Sequence, residues 1–362
     1  MTSPRIYKHD QPFAMRRGGV LSKIELAYET WGTLSASKDN AVLILTGLSP
    51  SAHAASHEED PSEGWWEALL GPGKAVDTDK WYVVCVNSLG SCWGSTGPAS
   101  IDPGTGERYG PTFPELCLED VAAAAGLVLD HLGVEQLDTL IGPSMGGMSA
   151  LAYLIQRPGT VRRLLSISSA LYSEPFATAI RALQREAVWS DPQYADGWYP
   201  VDKPPARGMR LARKVGMISY RSAEEWRDRF KRDRIDGEKA HPFAPEFQVE
   251  SYLELHAQRF VGSFDPNCYL WLSRAMDWFD PTSNESPKKV MGGLGLSEAA
   301  VIGVASDLLF PMHQQKAIAD ALQASGVPTH FDGLASIQGH DSFLVDIERF
   351  DPAIRRAMST ER

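Results

Sequence analysis

The sequence predicts an α/β fold: a mostly parallel central sheet with helices on both faces, interrupted late in the chain by a helical lid. Three observations carry this expectation. Continuous apolar runs such as "AVLILTG" (41–47) and "WYVVCVNSLG" (81–90) read as strands buried on both faces. Runs of helical period alternate with them. Between about residues 175 and 295 the strand runs stop, and segments rich in Trp, Arg and Asp take their place.

Taken in order, "KIELAYETWG" (23–32) alternates apolar and polar residues, as a strand with one covered face does. The two buried runs follow. "ELCLEDVAAAAGLVLDHLG" (115–133) has helical spacing and closes on glycine. "LDTLIG" reads as a strand, "MGGMSALAYLIQRP" as a helix stopped by proline, and "VRRLLSISSA" as another strand. Strand, helix, strand, helix, strand implies a parallel sheet with both faces covered. Within the insertion, "SAEEWRDRFKRDRIDGEK" (222–239) offers i,i+4 pairs, Glu225 with Arg229 and Asp228 with Arg232, and reads as a solvated helix face. "NCYLWLSRAMDWFD" reads as an amphipathic helix. "AAVIGVASDLLFP" returns to strand grammar, and a helix is expected from His313 to Ser325. The expected organisation is a core made of residues 1–174 and 296–362, with the lid at 175–295.

Composition narrows the partners. A net charge of −11 argues against nucleic acid or an anionic membrane, and no run reaches the roughly 18 apolar residues of a spanning helix. The first twenty residues lack an apolar signal-peptide core. Four scattered cysteines, Cys85, Cys92, Cys117 and Cys268, form neither a disulfide framework nor a zinc pattern. They read as reduced thiols in a cytoplasmic protein. Cys92, in a Gly-rich loop, is the one weighed as a reactive thiol.

Chemistry enters at "LIGPSMGGMSAL", where Ser144 lies between Gly142 and Gly146 at a strand-to-helix junction. A G-x-S-x-G turn in that setting is the nucleophile elbow of α/β-hydrolases. A serine hydroxyl needs a base, and this fold orders its groups Ser, then Asp or Glu, then His. Asp307 stands at the end of the late strand run "VIGVASD". His340, after Gly339, is the best placed histidine; His313 and His330 also follow Asp307, whereas His53 and His57 precede the serine. Two backbone N–H groups are needed for an oxyanion hole, and Met145 and Leu48 are the candidates.

"LTGLSPSAHA", "GWWEALLGPGKAVDTDKWYVVCVNSLGSCWGSTGPAS", "GPSMGGMSAL", "GMRLARKVGMISYRS", "FDPNCYLWLSRAMDWFD" and "GHDSFLVD" together resemble the homoserine/serine O-acyltransferase family of the α/β-hydrolase superfamily. The resemblance implies transfer of an acyl group from acyl-CoA to a serine nucleophile and then to an amino-acid hydroxyl. It implies no metal, no bound cofactor beyond the acyl-CoA co-substrate, and a homodimer. It carries the triad onto Ser144, Asp307 and His340, and acceptor contacts onto Arg213, Tyr220 and Asp341. An Arg grips a carboxylate with two hydrogen bonds, and Asp341 can pair an ammonium.

Two positions depart from the usual pattern. Pro143 replaces the second glycine of the elbow and only fixes a φ angle. "GLSPSAH" replaces the Gly-Asp of homoserine enzymes and resembles the serine-acylating branch. Serine is one methylene shorter than homoserine, and Leu48 and Pro50 can make the pocket shallower, a distinction worth about 1–3 kcal/mol. A succinyl donor brings a carboxylate that calls for a cation. Arg181 and Arg185 lie one turn apart, and Arg185 is the candidate for that contact. The leading expectation is succinyl transfer to L-serine in cysteine synthesis. Homoserine O-acetyl- or O-succinyl transfer, a plain serine hydrolase and a non-catalytic binding module are the alternatives.

Overall fold

The apolar runs assemble into one eight-stranded sheet in the computed structural model, which describes residues 4–236 and 241–359. Its strands are β1 Arg5–His9, β2 Ile24–Trp31, β3 Ala41–Leu45, β4 Tyr82–Val86, β5 Leu137–Pro143, β6 Val161–Ile167, β7 Glu298–Val304 and β8 Thr329–Leu334. The spatial order is β1-β2-β4-β3-β5-β6-β7-β8. β1 and β2 run antiparallel to their neighbours, and β4, β3, β5, β6, β7 and β8 pair in parallel in that spatial order.

Register explains why the central runs are apolar throughout. Leu43, Leu140, Leu164 and Ala299 stand in one row across β3, β5, β6 and β7, and Ile44, Ile141, Leu165 and Ala300 in the next. Successive strand residues point to opposite faces, so the two rows feed two separate cores. The first row packs with Val121 and Val128 of α1 (Leu118–His131), Leu151 of α2 (Met145–Gln156) and Ile318 of a later helix. The second row packs with Trp66, Leu69 and the C-terminal residues Phe350 and Ile354.

Among the described residues six α-helices lie between β6 and β7: α3 Pro175–Trp189, α4 Ala206–Tyr220, α5 Ala223–Phe230, α6 Gln248–Phe260, α7 Pro266–Trp278 and α8 Pro287–Gly292. α3 packs on α4 and α7, and α4 on α6. α9 Met312–Ala324, α10 Ser342–Val345 and α11 Ile347–Met358 complete the chain.

Two local expectations need correction. β2 is covered on both faces, because Glu29 is buried rather than solvated. In α5 the Glu225–Arg229 pair forms at 3.4 Å. The Asp228–Arg232 pair does not: the helix ends at Phe230, Lys231 takes φ +48°, and Asp228 binds Arg227 instead. The last residues of that run, 237–239, lie outside the described residues. α7 forms where a helix is expected and is packed on most sides, with nine of its thirteen residues buried, Cys268, Leu270 and Leu272 among them.

Candidate active site

β5 ends at Pro143 and α2 begins at Met145, so Ser144 must reverse the chain within one residue. It does so at φ +56°, a conformation that L side chains rarely adopt. The Ser144 N–H holds the turn by donating to the Ile167 carbonyl at 2.9 Å. Closure needs glycine nearby. A Cβ on Gly146 would lie 2.0 Å from the Leu45 carbonyl oxygen, and one on Gly142 would lie 2.5 Å from the Gly146 carbonyl oxygen. Both obstacles are backbone and cannot rotate away. Gly146→Ala is expected to cost about 3 kcal/mol of stability by overpacking; an unchanged denaturation midpoint would refute the tight-elbow account.

The three triad candidates meet. His340 Nε2 lies 2.8 Å from Ser144 Oγ, and His340 Nδ1 lies 2.8 Å from Asp307 Oδ2. Asp307 follows β7 with its side chain fully buried. Its Oδ1 accepts from the Leu309 and Phe310 N–H groups, both at 2.9 Å, which fixes the carboxylate plane. His340 sits on a short turn, Gly339–Asp341. Gly339 has φ +70° there, and a Cβ on it would strike the Tyr220 carbonyl at 2.5 Å. Burial disfavours the charged imidazolium, but the Asp307 carboxylate outweighs it and raises the His340 pKa above its ordinary value. His313 instead pairs with Glu174, and His330 with Asp332.

Ser144 and His340 open into a cavity of about 140 Å³. Leu48 and Pro50 form one wall with Gly47, whose added Cβ would lie 3.9 Å from Ser144 Cβ. Gly47 thus borders the nucleophile with Leu48 next in the chain on the same cavity, and Met145 is the first residue of α2, where N–H groups have no partner within the helix. Arg213, Tyr220 and Asp341 line the same cavity. Among the described residues Arg213 has no carboxylate oxygen within ion-pair distance, although Asp341 feels its charge, and its Nε is buried without a hydrogen bond. Its guanidinium stacks over Phe260 at 4.9 Å and Tyr220 at 5.9 Å. Burial raises the Asp341 carboxyl above its usual value, against the pull of Arg221, whose Nε lies 3.4 Å away.

Arg185, the candidate for the succinyl contact, does not border the Ser144 cavity. Its Nη1 lies 2.6 Å from Asp277 Oδ2 and 2.9 Å from Ser273 Oγ, and its side chain borders a second cavity of about 420 Å³ with Trp189, Trp271 and Trp278. Arg181, one turn earlier, is the arginine on the Ser144 cavity. Its Nε binds Asp277 Oδ1 at 2.7 Å and its Nη2 binds Ser173, which leaves Nη1. Tyr269, Ser273 and Met276 of α7 also line the cavity and were not anticipated. Their i, i+4, i+7 spacing was the available signal.

Among the described residues one group, Glu29, His53 and His57, brings three potential metal-binding atoms within 4.8 Å of one another. None of the three borders the Ser144 cavity. Their atoms hydrogen-bond each other, with Glu29 Oε2 at 2.8 Å from His53 Nδ1 and 2.9 Å from His57 Nε2.

A strained serine at a strand-to-helix turn, with its histidine and aspartate arriving from far downstream, defines a class. The chain belongs to the α/β-hydrolase fold family, whose model matches residues 40–346. It is 58% identical over 356 residues to the serine O-succinyltransferase of Frateuria aurantia, covering 97% of each chain. Among solved structures it is similar to homoserine O-acetyltransferase from Bacillus anthracis, with TM-score 0.91, 25% identity and coverage of 99% of both chains. It is also similar to esterase E22, with TM-score 0.89, 26% identity and coverage of 98% of this chain and 99% of that one. The fold thus serves transferases and esterases alike, and the choice between them rests on the cavity.

Proposed function

We propose that this protein is a serine O-succinyltransferase, moving the succinyl group of succinyl-CoA to the side-chain hydroxyl of L-serine through an acyl-enzyme on Ser144. The observation that carries transfer over hydrolysis is Arg213, a cavity-lining guanidinium that makes no direct ion pair among the described residues and whose Nε is buried without a hydrogen bond. A hydrolase of neutral esters has no use for it, whereas an amino-acid acceptor brings a carboxylate to fill it. Similarity to the Frateuria aurantia enzyme supports the same reading.

His340 Nε2 takes the Ser144 proton as Oγ attacks the thioester carbonyl, and the Asp307 carboxylate stabilises the imidazolium that forms. The Leu48 and Met145 N–H groups face the developing oxyanion. His340 returns its proton to the departing CoA sulfur. In the second half the acceptor hydroxyl takes the place of CoA: His340 removes its proton, the oxygen attacks the acyl-enzyme, and Ser144 leaves with that proton. Arg213 and Tyr220 hold the acceptor carboxylate, and Asp341 its ammonium. The cavity, small beside the roughly 300–1,000 Å³ of ordinary ligand pockets, suits a short acceptor. Arg181 Nη1 is assigned to the succinyl carboxylate in place of Arg185.

The wider reading includes a role in cysteine synthesis, a cytoplasmic location and a homodimer. Support for the dimer is the outer face of α3 and α4, where Phe176, Leu183, Leu211 and Ile218 are each more than half exposed.

The test is a two-by-two assay, serine or homoserine with succinyl- or acetyl-CoA, following free thiol. Serine with succinyl-CoA should be fastest. A preference for homoserine with acetyl-CoA would favour the activity named for the Bacillus anthracis structure, and equal thiol release without any amino acid would favour hydrolysis. Arg181→Leu should lower succinyl-CoA use by about 100-fold while sparing acetyl-CoA, the loss of one charge-assisted pair. Equal losses with both donors would remove that assignment.

A further inference from the structure

Cys92 and Cys268 have no part in the proposed transfer, yet they meet from distant parts of the chain. Cys92 lies half-buried in the loop after β4, and Cys268 is fully buried in the first turn of α7. The Asp265 N–H donates to Cys92 Sγ at 3.4 Å, and Asp265 Oδ1 caps α7 by accepting from the Cys268 N–H at 3.0 Å. Asp265 therefore touches both cysteines, and the two thiols are near enough to affect each other's ionisation.

Their environments differ in a useful direction. The neighbouring Cys268 thiol lowers the Cys92 pKa; burial opposes this, and the Asp265 amide assists it. Burial holds the Cys268 thiol well above its ordinary range. Cys92 is therefore the more accessible and more readily ionised sulfur, the attributes of an attacking thiol. Cys268 is fully buried with Cys92 as its neighbouring thiol, the position of a resolving thiol.

The pair also joins two walls of the active site. α7 places Tyr269, Ser273 and Met276 on the Ser144 cavity. The Cys92 loop holds another lining segment through its neighbour Trp93, whose Nε1 donates to the carbonyl of the lining residue Ser49 at 3.0 Å. Asn87 Nδ2 donates to the Pro50 carbonyl at 3.4 Å from the same loop.

We propose that Cys92 and Cys268 form a modification site for low-molecular-weight disulfides, which convert them to an intramolecular bond that staples α7 to the sheet-borne loop and slows turnover. The chemistry is two thiol–disulfide exchanges. The Cys92 thiolate attacks one sulfur of R–S–S–R, that bond breaks, and one RS⁻ leaves. Cys268 passes its proton to the released thiolate and attacks the Cys92 sulfur, expelling the second RS⁻, which is protonated from solvent. The two protein thiols lose two electrons and the small disulfide gains them; the products are one protein disulfide and two RSH. Turnover slows because substrate exchange needs the cavity walls to move.

The bond itself is independent of which acyl group the enzyme carries, so mass spectrometry tests it apart from the proposed function. Wild-type protein treated with oxidised glutathione should become about 2 Da lighter and yield a linked Cys92–Cys268 peptide. Cys268→Ser should stop at the glutathione adduct on Cys92. Turnover of the oxidised wild type should fall about tenfold and return with dithiothreitol, while Cys92→Ser should be insensitive to the oxidant. Accumulation of the mixed disulfide in wild type as in Cys268→Ser would overturn the proposal. So would a bond to Cys85 or Cys117, or full turnover in the oxidised protein.

Discussion

Ser144→Ala is expected to reduce thiol release from acyl-CoA by about 10⁵- to 10⁶-fold, the scale seen when a triad nucleophile is removed, with little change in stability. The two effects separate because the hydroxyl and the backbone do different things. Oγ contributes one hydrogen bond, to His340 Nε2 at 2.8 Å. The elbow is held instead by the Ser144 N–H on Ile167, the Gly147 N–H on the Ser144 carbonyl at 3.0 Å, and the close approach of Gly146 to Leu45. Alanine tolerates φ +56° no better and no worse than serine, so the turn persists. The change in unfolding free energy should stay within about 1 kcal/mol. Incubated with succinyl-CoA alone, wild type should carry the succinyl group on the peptide containing Ser144, and the variant should carry none. Turnover within a hundredfold of wild type would rule out the covalent route, and a collapse in stability would show that the elbow depends on the hydroxyl.

Some of this arrangement is legible in the sequence because tight geometry restricts residue choice. Gly142, Gly146 and Gly339 each sit where a Cβ would strike backbone, and those glycines single out Ser144 and His340 by position. Asp307 is legible because it stands just past the end of β7. Legibility fails where packing between helices decides. Arg181 and Arg185 differ by one turn and so by only about 40° around the helix. Both suit the same cavity on paper. Asp277 of α7 engages both of them, and the partners of each end, Ser173 for Arg181 and Ser273 for Arg185, determine which borders Ser144. β1 was not anticipated either. It is an exposed edge strand whose residues 5–9 show almost no apolar alternation, and its strand character comes from pairing with β2. Buried Glu29 belongs to the same class: its two histidine partners arrive from residues 53 and 57, beyond any local pattern.

Asp307→Asn should lower kcat by about 10⁴-fold, the loss found when a triad aspartate becomes an amide, and should move the acid limb of the pH profile downwards. The size follows from the hydrogen bonds. Asp307 Oδ1 accepts from two backbone N–H groups, Leu309 and Phe310. An asparagine must keep its carbonyl oxygen there, because an NH₂ would leave three donors facing one another. Its NH₂ then occupies the Oδ2 position, 2.8 Å from His340 Nδ1 in the wild type. Nδ1 becomes an acceptor, the ring proton moves to Nε2, and the nitrogen facing Ser144 can no longer take a proton. The pH shift follows from charge. The reaction needs neutral His340, so activity appears as pH rises through its pKa. In the wild type burial lowers that pKa, but Asp307 outweighs it and leaves it above the ordinary 6.5. With the carboxylate gone, burial dominates and the limb should fall below its wild-type position. Stability should respond in a matching sense. The raised pKa contributes stability that is fully present below the ordinary pKa and lost as pH rises through the folded value, so the variant should be relatively most destabilised in acid. A limb that stays in place, or a kcat within tenfold of wild type, would show that the Asp307 charge does not govern the base.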